Sequence, residues 1–228
     1  MLSPAESEAL LLSLRVSLVG VGCALPFALA VALLLSRVRF PGRSLAEALC
    51  YLPLVLPPVV VGYLFLILLG THEPVGKWLV DTLGVRFAFS WTGAALTSGI
   101  ITFPLQLRAM RLALESQDRG LAEAAATLGA GAVDRLWNIT LPLALPGILA
   151  GVITAFAASL GEFGAIITFV SNIPGETRTL PLAIYSALQT PGGEVEAARL
   201  CGISIALALV GVSLAELMGR RFRAAYER

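Results

Sequence analysis

The chain has 228 residues, of which 57% are hydrophobic and only 14% are charged. Soluble domains are about a quarter charged, so this composition excludes an ordinary soluble protein and predicts a membrane protein. The net charge is +1 and no basic stripe is present, which argues against a nucleic-acid partner.

Five apolar runs are each about long enough to cross the hydrocarbon core of a bilayer, which needs roughly 20 residues. We therefore predict an all-α, polytopic membrane protein that forms a single transmembrane domain over residues 1–228. The predicted spans are residues 16–35, 46–69, 91–107, 148–169 and 197–217.

The second span contains a proline-rich centre within Leu52–Tyr63. Pro53, Pro57 and Pro58 each remove a backbone donor, and together they predict that no regular helix passes through this segment. Two interpretations stay open at this point: a kinked helix, or a broken helix beside a transport pathway, where protein or water covers the irregular backbone.

Two segments between spans have the composition of short surface helices. Residues 70–90 form a mixed loop in which Trp78 and Leu79 indicate an interfacial turn of helix. Residues 171–195 form a second loop, and its apolar part, Leu180–Leu188, predicts a short helix at the membrane surface.

A polar island between the third and fourth spans carries the clearest motif. Residues 122–126 include four alanines, which favour a helix with a small face. Gly129 and Gly131 supply the permissive backbone that ends a helix, and Pro142 restarts one. A short exposed helix with a small face predicts a surface that docks into a groove of another protein.

The spacing of this island resembles the EAA motif of permease subunits of ABC importers. The residues that carry the resemblance are Glu123, Ala124, Ala125, Gly129, Ile139, Leu141 and Pro142. The resemblance implies a type I ABC importer permease fold in which residues 108–141 form a cytoplasmic coupling segment. Its helix would sit in a cleft of a separate ATPase subunit.

Glu162 is the charge that the fourth span places near the centre of the bilayer, between Gly161 and Gly164. A carboxylate at that depth is costly, so its side chain should face the interior of the helix bundle or water. Two hypotheses stay open: a structural glutamate that a neighbouring helix satisfies, and a gating element.

Arginines predict the orientation by the positive-inside rule. One side of the membrane would hold most of them, and the other side Lys77, Arg86 and Arg178, with Arg199 close by. The arginine-rich side comprises Arg37, Arg39, Arg43, Arg108, Arg111, Arg119, Arg135, Arg220, Arg221, Arg223 and Arg228. With five spans, the N-terminus lies outside and the C-terminus and the coupling segment lie in the cytoplasm.

Four further segments extend the resemblance over most of the chain. Ser159–Ala165 and Leu52–Tyr63 look like those of oxyanion importers, whereas Phe169–Thr179 and Gln189–Glu194 are similar to molybdate permeases. The resemblance implies a homodimer in the inner membrane that moves molybdate or tungstate by alternating access. Its implied partners are two cytoplasmic ATPase subunits, a periplasmic oxyanion-binding protein and membrane lipid.

The chain is predicted not to be an enzyme and to bind no cofactor or metal. It has no Gly-x-x-x-x-Gly-Lys-Ser/Thr loop, so ATP would be bound and hydrolysed on the partner subunit. Cys23, Cys50 and Cys201 are isolated in apolar runs, and His72 is the only histidine, so no metal cluster or catalytic set is indicated.

Two alternatives remain. The same fold could carry sulfate or thiosulfate, because the sequence does not determine which oxyanion is moved. A more distant alternative is an intramembrane enzyme that uses Glu162, which would need a second catalytic group at the same depth.

Overall fold

A computed structural model describes residues 3–38 and 40–226 of the chain. Arg39 and Arg228 lie outside the described residues, as do the side chains of Arg119, Arg220, Arg221 and Arg223, all of which the orientation argument uses. Over the described residues the structure is helical and contains no strand, which confirms the all-α prediction. The helices are α1 Pro4–Arg37, α2 Arg43–Val55, α3 Pro58–Leu69, α4 Pro74–Leu83, α5 Trp91–Glu115, α6 Arg119–Thr127, α7 Ala132–Arg135, α8 Leu141–Leu160, α9 Gly164–Val170, α10 Leu180–Leu188 and α11 Glu194–Tyr226.

Three stretches of helix are long and apolar enough to cross a membrane: α1, residues 132–160 and residues 194–214. The bent pair α2 and α3 makes a fourth. The predicted third span lies within α5, which at 25 residues is about 37 Å long. This helix is more polar in composition than the three apolar stretches. It carries Thr97, Ser98, Thr102 and Gln106, and all four side chains are buried.

The proline-rich second span is broken and not merely kinked at Leu52–Tyr63. The axes of α2 and α3 differ by 108° across Leu56 and Pro57. Pro57 is the N-cap of α3 and Pro58 opens its first turn, where a missing N–H leaves no bond unmade. Pro53 lies inside α2, so the interruption is made at Pro57 and Pro58 and not at Pro53.

The predicted fourth span, residues 148–169, is not one helix, and this prediction is wrong. Helical backbone runs without a gap from Ala132 to Leu160 and includes a π-helical turn at Leu136–Thr140. The helix then ends at Gly161, and α9 begins at Gly164. The apolar composition continues across the interruption, which is why the sequence pattern predicted a single span.

Close contacts between small residues hold α1, α5 and α8 together. A Cβ atom added at Gly20 of α1 would lie 2.4 Å from the carbonyl oxygen of Ala95 in α5. A Cβ added at Gly147 of α8 would lie 2.3 Å from the Cβ of Ala113, also in α5. Gly, Ala and Ser at such crossings let membrane helices approach to backbone contact.

The two short helices predicted between spans are present as α4 and α10. Helix α10 is bound to α1, because the backbone N–H of Leu180 donates to the hydroxyl of Ser13 over 2.7 Å. Helix α9 packs against α3, and α11 packs against α8 and α10. The two broken spans therefore meet through α3 and α9.

Candidate functional site: the coupling segment and the paired helix breaks

The coupling segment folds as the short helix that its sequence predicts. Asp118 caps α6, since its carboxylate accepts a hydrogen bond of 2.8 Å from the backbone N–H of Gly120. The alanine-rich turns then carry Glu123, Ala124 and Ala125. Glu123 and Ala124 are exposed, whereas Ala125 is half-buried.

Helix α6 ends at Thr127, and Gly129, two residues later, has a φ of 91° in the left-handed region. The N–H of Ala130 donates to the carbonyl of Ala125 over 3.0 Å, which closes the end of the helix. A Cβ at Gly129 would meet nothing within 4 Å, so the backbone angle and not crowding favours glycine there. Gly131, the N-cap of α7, has an ordinary φ of −66°, so its predicted special backbone is not found.

Large apolar side chains on α6 and in the residues that follow it are exposed. Leu128 is 89% exposed and Trp137 is 65% exposed. We call Leu121, Leu128, Val133 and Trp137, all exposed, the coupling patch. The sequence analysis missed these residues, although large apolar residues within a polar island were a readable signal.

Hydrogen bonds hold the coupling segment together at its base, and one of them joins it to α1. The side chain of Arg135 donates to the carbonyl of Ala122, joining α7 to α6 over 3.2 Å. Thr140 is buried and bonded twice: its carbonyl accepts from Gln117 over 2.9 Å, and its hydroxyl accepts from Arg37. Hydrogen bonds therefore hold in place the segment that carries the exposed patch.

The predicted motif residues divide between the exposed α6 region and the junction with α8. Ile139, Leu141 and Pro142 are half-buried and continue into α8. Glu123 and Ile139 together line a polar cavity of about 780 Å³ next to the exposed helix. The motif residues thus comprise an exposed face of α6 and a half-buried junction at the start of α8.

Charged residues join α2 to α5 beside this cavity. Arg111 pairs with Glu115, four residues later on the same helix, over 2.7 Å, and also with Glu47 of α2. Hydrogen bonds to Glu115 and then to Glu47 raise the pKa of the Arg111 guanidinium above its ordinary value, so its charge is permanent. Arg43 adds a longer contact of 3.8 Å to Glu115.

The breaks in the two interrupted spans lie against each other at the far end of α8. A Cβ added at Gly62 of α3 would lie 2.6 Å from the carbonyl oxygen of Ala165 in α9. A Cβ added at Gly164 would lie 3.1 Å from the Cβ of Pro58. Gly164 therefore permits a close approach of α3, but Gly161 is exposed and a Cβ there would have only Ala158 within 4 Å.

Glu162 occupies the break between α8 and α9 rather than the middle of a continuous helix. Its side chain is half-buried, and its carboxylate accepts a hydrogen bond of 3.0 Å from the backbone N–H of Ala165. The glutamate therefore bonds to the start of the helix that follows it in the chain, not to another span. Nearby, the hydroxyl of Ser159 donates to Ser17 over 2.9 Å and joins α8 to α1.

Comparison with known proteins gives a consistent result. The profile of the family described as binding-protein-dependent transport system inner membrane component matches residues 24–224. The molybdenum transport system permease protein ModB of Escherichia coli (strain K12) is 56% identical over 219 residues, 96% of each chain. The sulfate transport system permease protein CysW of Synechococcus elongatus is 34% identical over 219 residues, 95% of this chain and 76% of that one.

The fold is also found among solved structures. A chain in the crystal structure of a bacterial alginate ABC transporter, in complex with an alginate pentasaccharide-bound periplasmic protein, superimposes with a TM-score of 0.76. The identity is 22%, and the match covers 96% of this chain and 80% of that chain. Profile, relatives and fold agree: the chain belongs to the family of binding-protein-dependent transport system inner membrane components.

Proposed function

We propose that this chain is the permease subunit of an ABC importer that moves molybdate across a bacterial or archaeal inner membrane. The ModB relative matches almost the full length at much higher identity than the sulfate permease does, which supports molybdate as the transported anion. Tungstate has the same charge and tetrahedral shape and would follow the same route.

The coupling patch is the observation that carries the coupling role. Exposed Leu, Val and Trp side chains on α6 and in the residues that follow it are costly in water, and exposed apolar surface of this kind marks places that a partner covers. The proposed partner is a cytoplasmic ATPase subunit, with two copies for a homodimer of this chain. Orientation by the positive-inside rule places the coupling segment and the C-terminus in the cytoplasm and the N-terminus outside.

The continuous helix from Ala132 to Leu160 supplies a route from the patch to the paired breaks. Its 29 residues extend about 43 Å, more than the thickness of the hydrocarbon core. Closure of the ATPase pair would displace the coupling patch, and the rigid helix would carry that displacement to Gly161. There, α9 and α3 would shift against the rest of the bundle and produce alternating access.

Glu162 has a structural place in this proposal. Its carboxylate accepts a hydrogen bond from the first turn of α9, so it stabilises the start of that helix at the break. An anionic substrate would be repelled by a carboxylate in a weakly screened pathway, which places Glu162 beside the pathway and not in it. The alternative gating role requires that its charge, and not only its hydrogen bond, sets the balance between states.

A permease for sulfate or thiosulfate is the second candidate, because the similarity to the sulfate permease extends over 95% of this chain. In either case a periplasmic oxyanion-binding protein would deliver the anion.

The two candidates are separated by growth of strains that lack their own molybdate or sulfate permease. The chain is expressed together with an ATPase subunit and a periplasmic oxyanion-binding protein. We expect growth to be restored at limiting molybdate and not at limiting sulfate. Growth restored only at limiting sulfate would reverse the assignment of the anion.

A further inference from the structure

Helices α1 and α5 form an apolar groove of about 580 Å³ along one side of the bundle. Its floor is made where the two helices touch: a Cβ added at Gly99 would lie 2.6 Å from the carbonyl oxygen of Gly20. The small side chains of Cys23 and Ala24 continue the floor on α1. The groove is thus a consequence of the close crossing of the two helices.

Larger apolar side chains form its walls, including Phe27, Leu96 and Phe103. Phe27 is 69% exposed and Cys23 is also exposed, so the groove is open on its outer side. Along α5 the lining runs from Thr92 to Phe103, which is about 16 Å at 1.5 Å per residue. That length matches one leaflet of the hydrocarbon core, about 15 Å.

A cation stands at one end of the groove. Arg15 lies one helical turn before Val19, which lines the groove on α1, and so shares its face. The exposed Arg15 guanidinium lies 3.7 Å from the ring centroid of Trp91, which adjoins Thr92 of the lining. Among the described residues, no carboxylate forms an ion pair with Arg15.

We propose that this groove binds one phospholipid, with an acyl chain along its floor and the phosphate at Arg15. An arginine and a tryptophan at the end of an apolar run have the chemistry of the headgroup region, where guanidinium groups attract lipid phosphates. A covering protein helix is about 10 Å across and would have to desolvate Arg15 with no described carboxylate to pair with it. The proposal is independent of which anion the permease transports.

Native mass spectrometry of the purified full-length chain tests the proposal. The protein is delipidated in detergent and titrated with phosphatidylglycerol, and the bound lipid is counted per chain. We expect one retained phosphatidylglycerol for the unaltered chain. Cys23→Trp should abolish this binding by filling the groove, whereas Cys201→Trp, at an exposed position on α11, should leave it unchanged.

Arg15→Gln provides a second arm that leaves the apolar groove intact. Loss of one cation near a phosphate should weaken phosphatidylglycerol binding about fivefold. Lys77→Gln, which removes an exposed cation on α4 away from the groove, should have no effect. Addition of the lipid should also slow alkylation of Cys23 and leave alkylation of Cys201 unchanged.

Two results would overturn the proposal. Equal phosphatidylglycerol binding by the unaltered chain, Cys23→Trp and Arg15→Gln would show that the groove is not the site. Efficient disulfide cross-linking between Cys23 residues of two chains in membranes would show that a second copy of the chain covers the groove. Both readouts concern lipid or chain contact, so failure of molybdate uptake would not affect them.

Discussion

The coupling patch and the paired helix breaks lie at opposite ends of one continuous helix, and their construction is opposite. The patch leaves Leu128 and Trp137 in contact with water, and hydrogen bonds at its base hold it in place. The breaks are closed by tight packing: a Cβ at Gly62 would clash with the backbone of Ala165, and a Cβ at Gly164 would lie in tight contact with the side chain of Pro58. One end of the helix lacks a covering surface, whereas the other is already packed within the chain.

This difference indicates that a partner binds at the patch and that the resulting conformational change occurs at the breaks. Exposed apolar area gains free energy only when a partner covers it, so the patch is suited to a reversible docking event. A tightly packed break responds to displacement by changing its packing as a unit, because close-packed contacts do not deform smoothly. Changes at the two ends should therefore have different consequences.

The largest effect is expected at the patch. Trp137→Ser removes the aromatic side chain of the exposed cluster, and buried tryptophans at interfaces contribute about 2 kcal/mol or more, which is about thirtyfold in affinity. We expect co-purification of the ATPase to fall by about that factor while the permease still inserts in the membrane. Trp78→Ser, at an exposed tryptophan of α4, is the matched control. Equal yields of ATPase with both variants would separate the patch from docking.

A smaller effect on stability is expected at the breaks. Gly62→Ala places a methyl group within 2.6 Å of the Ala165 carbonyl oxygen and should lower the free energy of unfolding by about 1–3 kcal/mol. Gly22→Ala, where an added Cβ has nothing within 4 Å, should not lower it. Thermal unfolding of the purified proteins in detergent measures both. Similar midpoints for the two variants would contradict the close packing of α3 on α9.

The coupling segment could be predicted from its sequence because its signals are local. Asp118, the alanine run and Gly129 specify where α6 begins and ends, and each needs only its chain neighbours. The break at Gly161 could not be predicted in this way, since apolar residues continue on both sides of it. Two interactions stabilise the break. One is the hydrogen bond that Glu162 accepts from Ala165, and the other is the packing of Gly164 against Pro58, which lies about 100 residues earlier in the sequence.

The smallest effect is expected for Glu162→Gln, which tests whether the break depends on the hydrogen bond of Glu162 or on its charge. Glutamine keeps an oxygen that can accept from Ala165, so assembly and molybdate uptake should stay within about twofold of the unaltered protein. Glu162→Leu removes the acceptor and leaves a backbone N–H without its partner, at a cost of about 1–3 kcal/mol. Near-normal assembly of Glu162→Gln with ATP hydrolysis but little uptake would favour the gating role over the structural one.

The central claim is that displacement of the coupling patch reaches the paired breaks along residues 132–160. It is tested most directly with a single reporter thiol, Gly161→Cys, because a Cβ there has only Ala158 within 4 Å. Cys23, Cys50 and Cys201 are replaced by serine, and the permease is reconstituted with its ATPase and binding protein. We expect ATP to change the alkylation rate of the reporter, and Leu128→Ser to abolish that change. The same ATP-dependent change in the Leu128→Ser protein would contradict the claim.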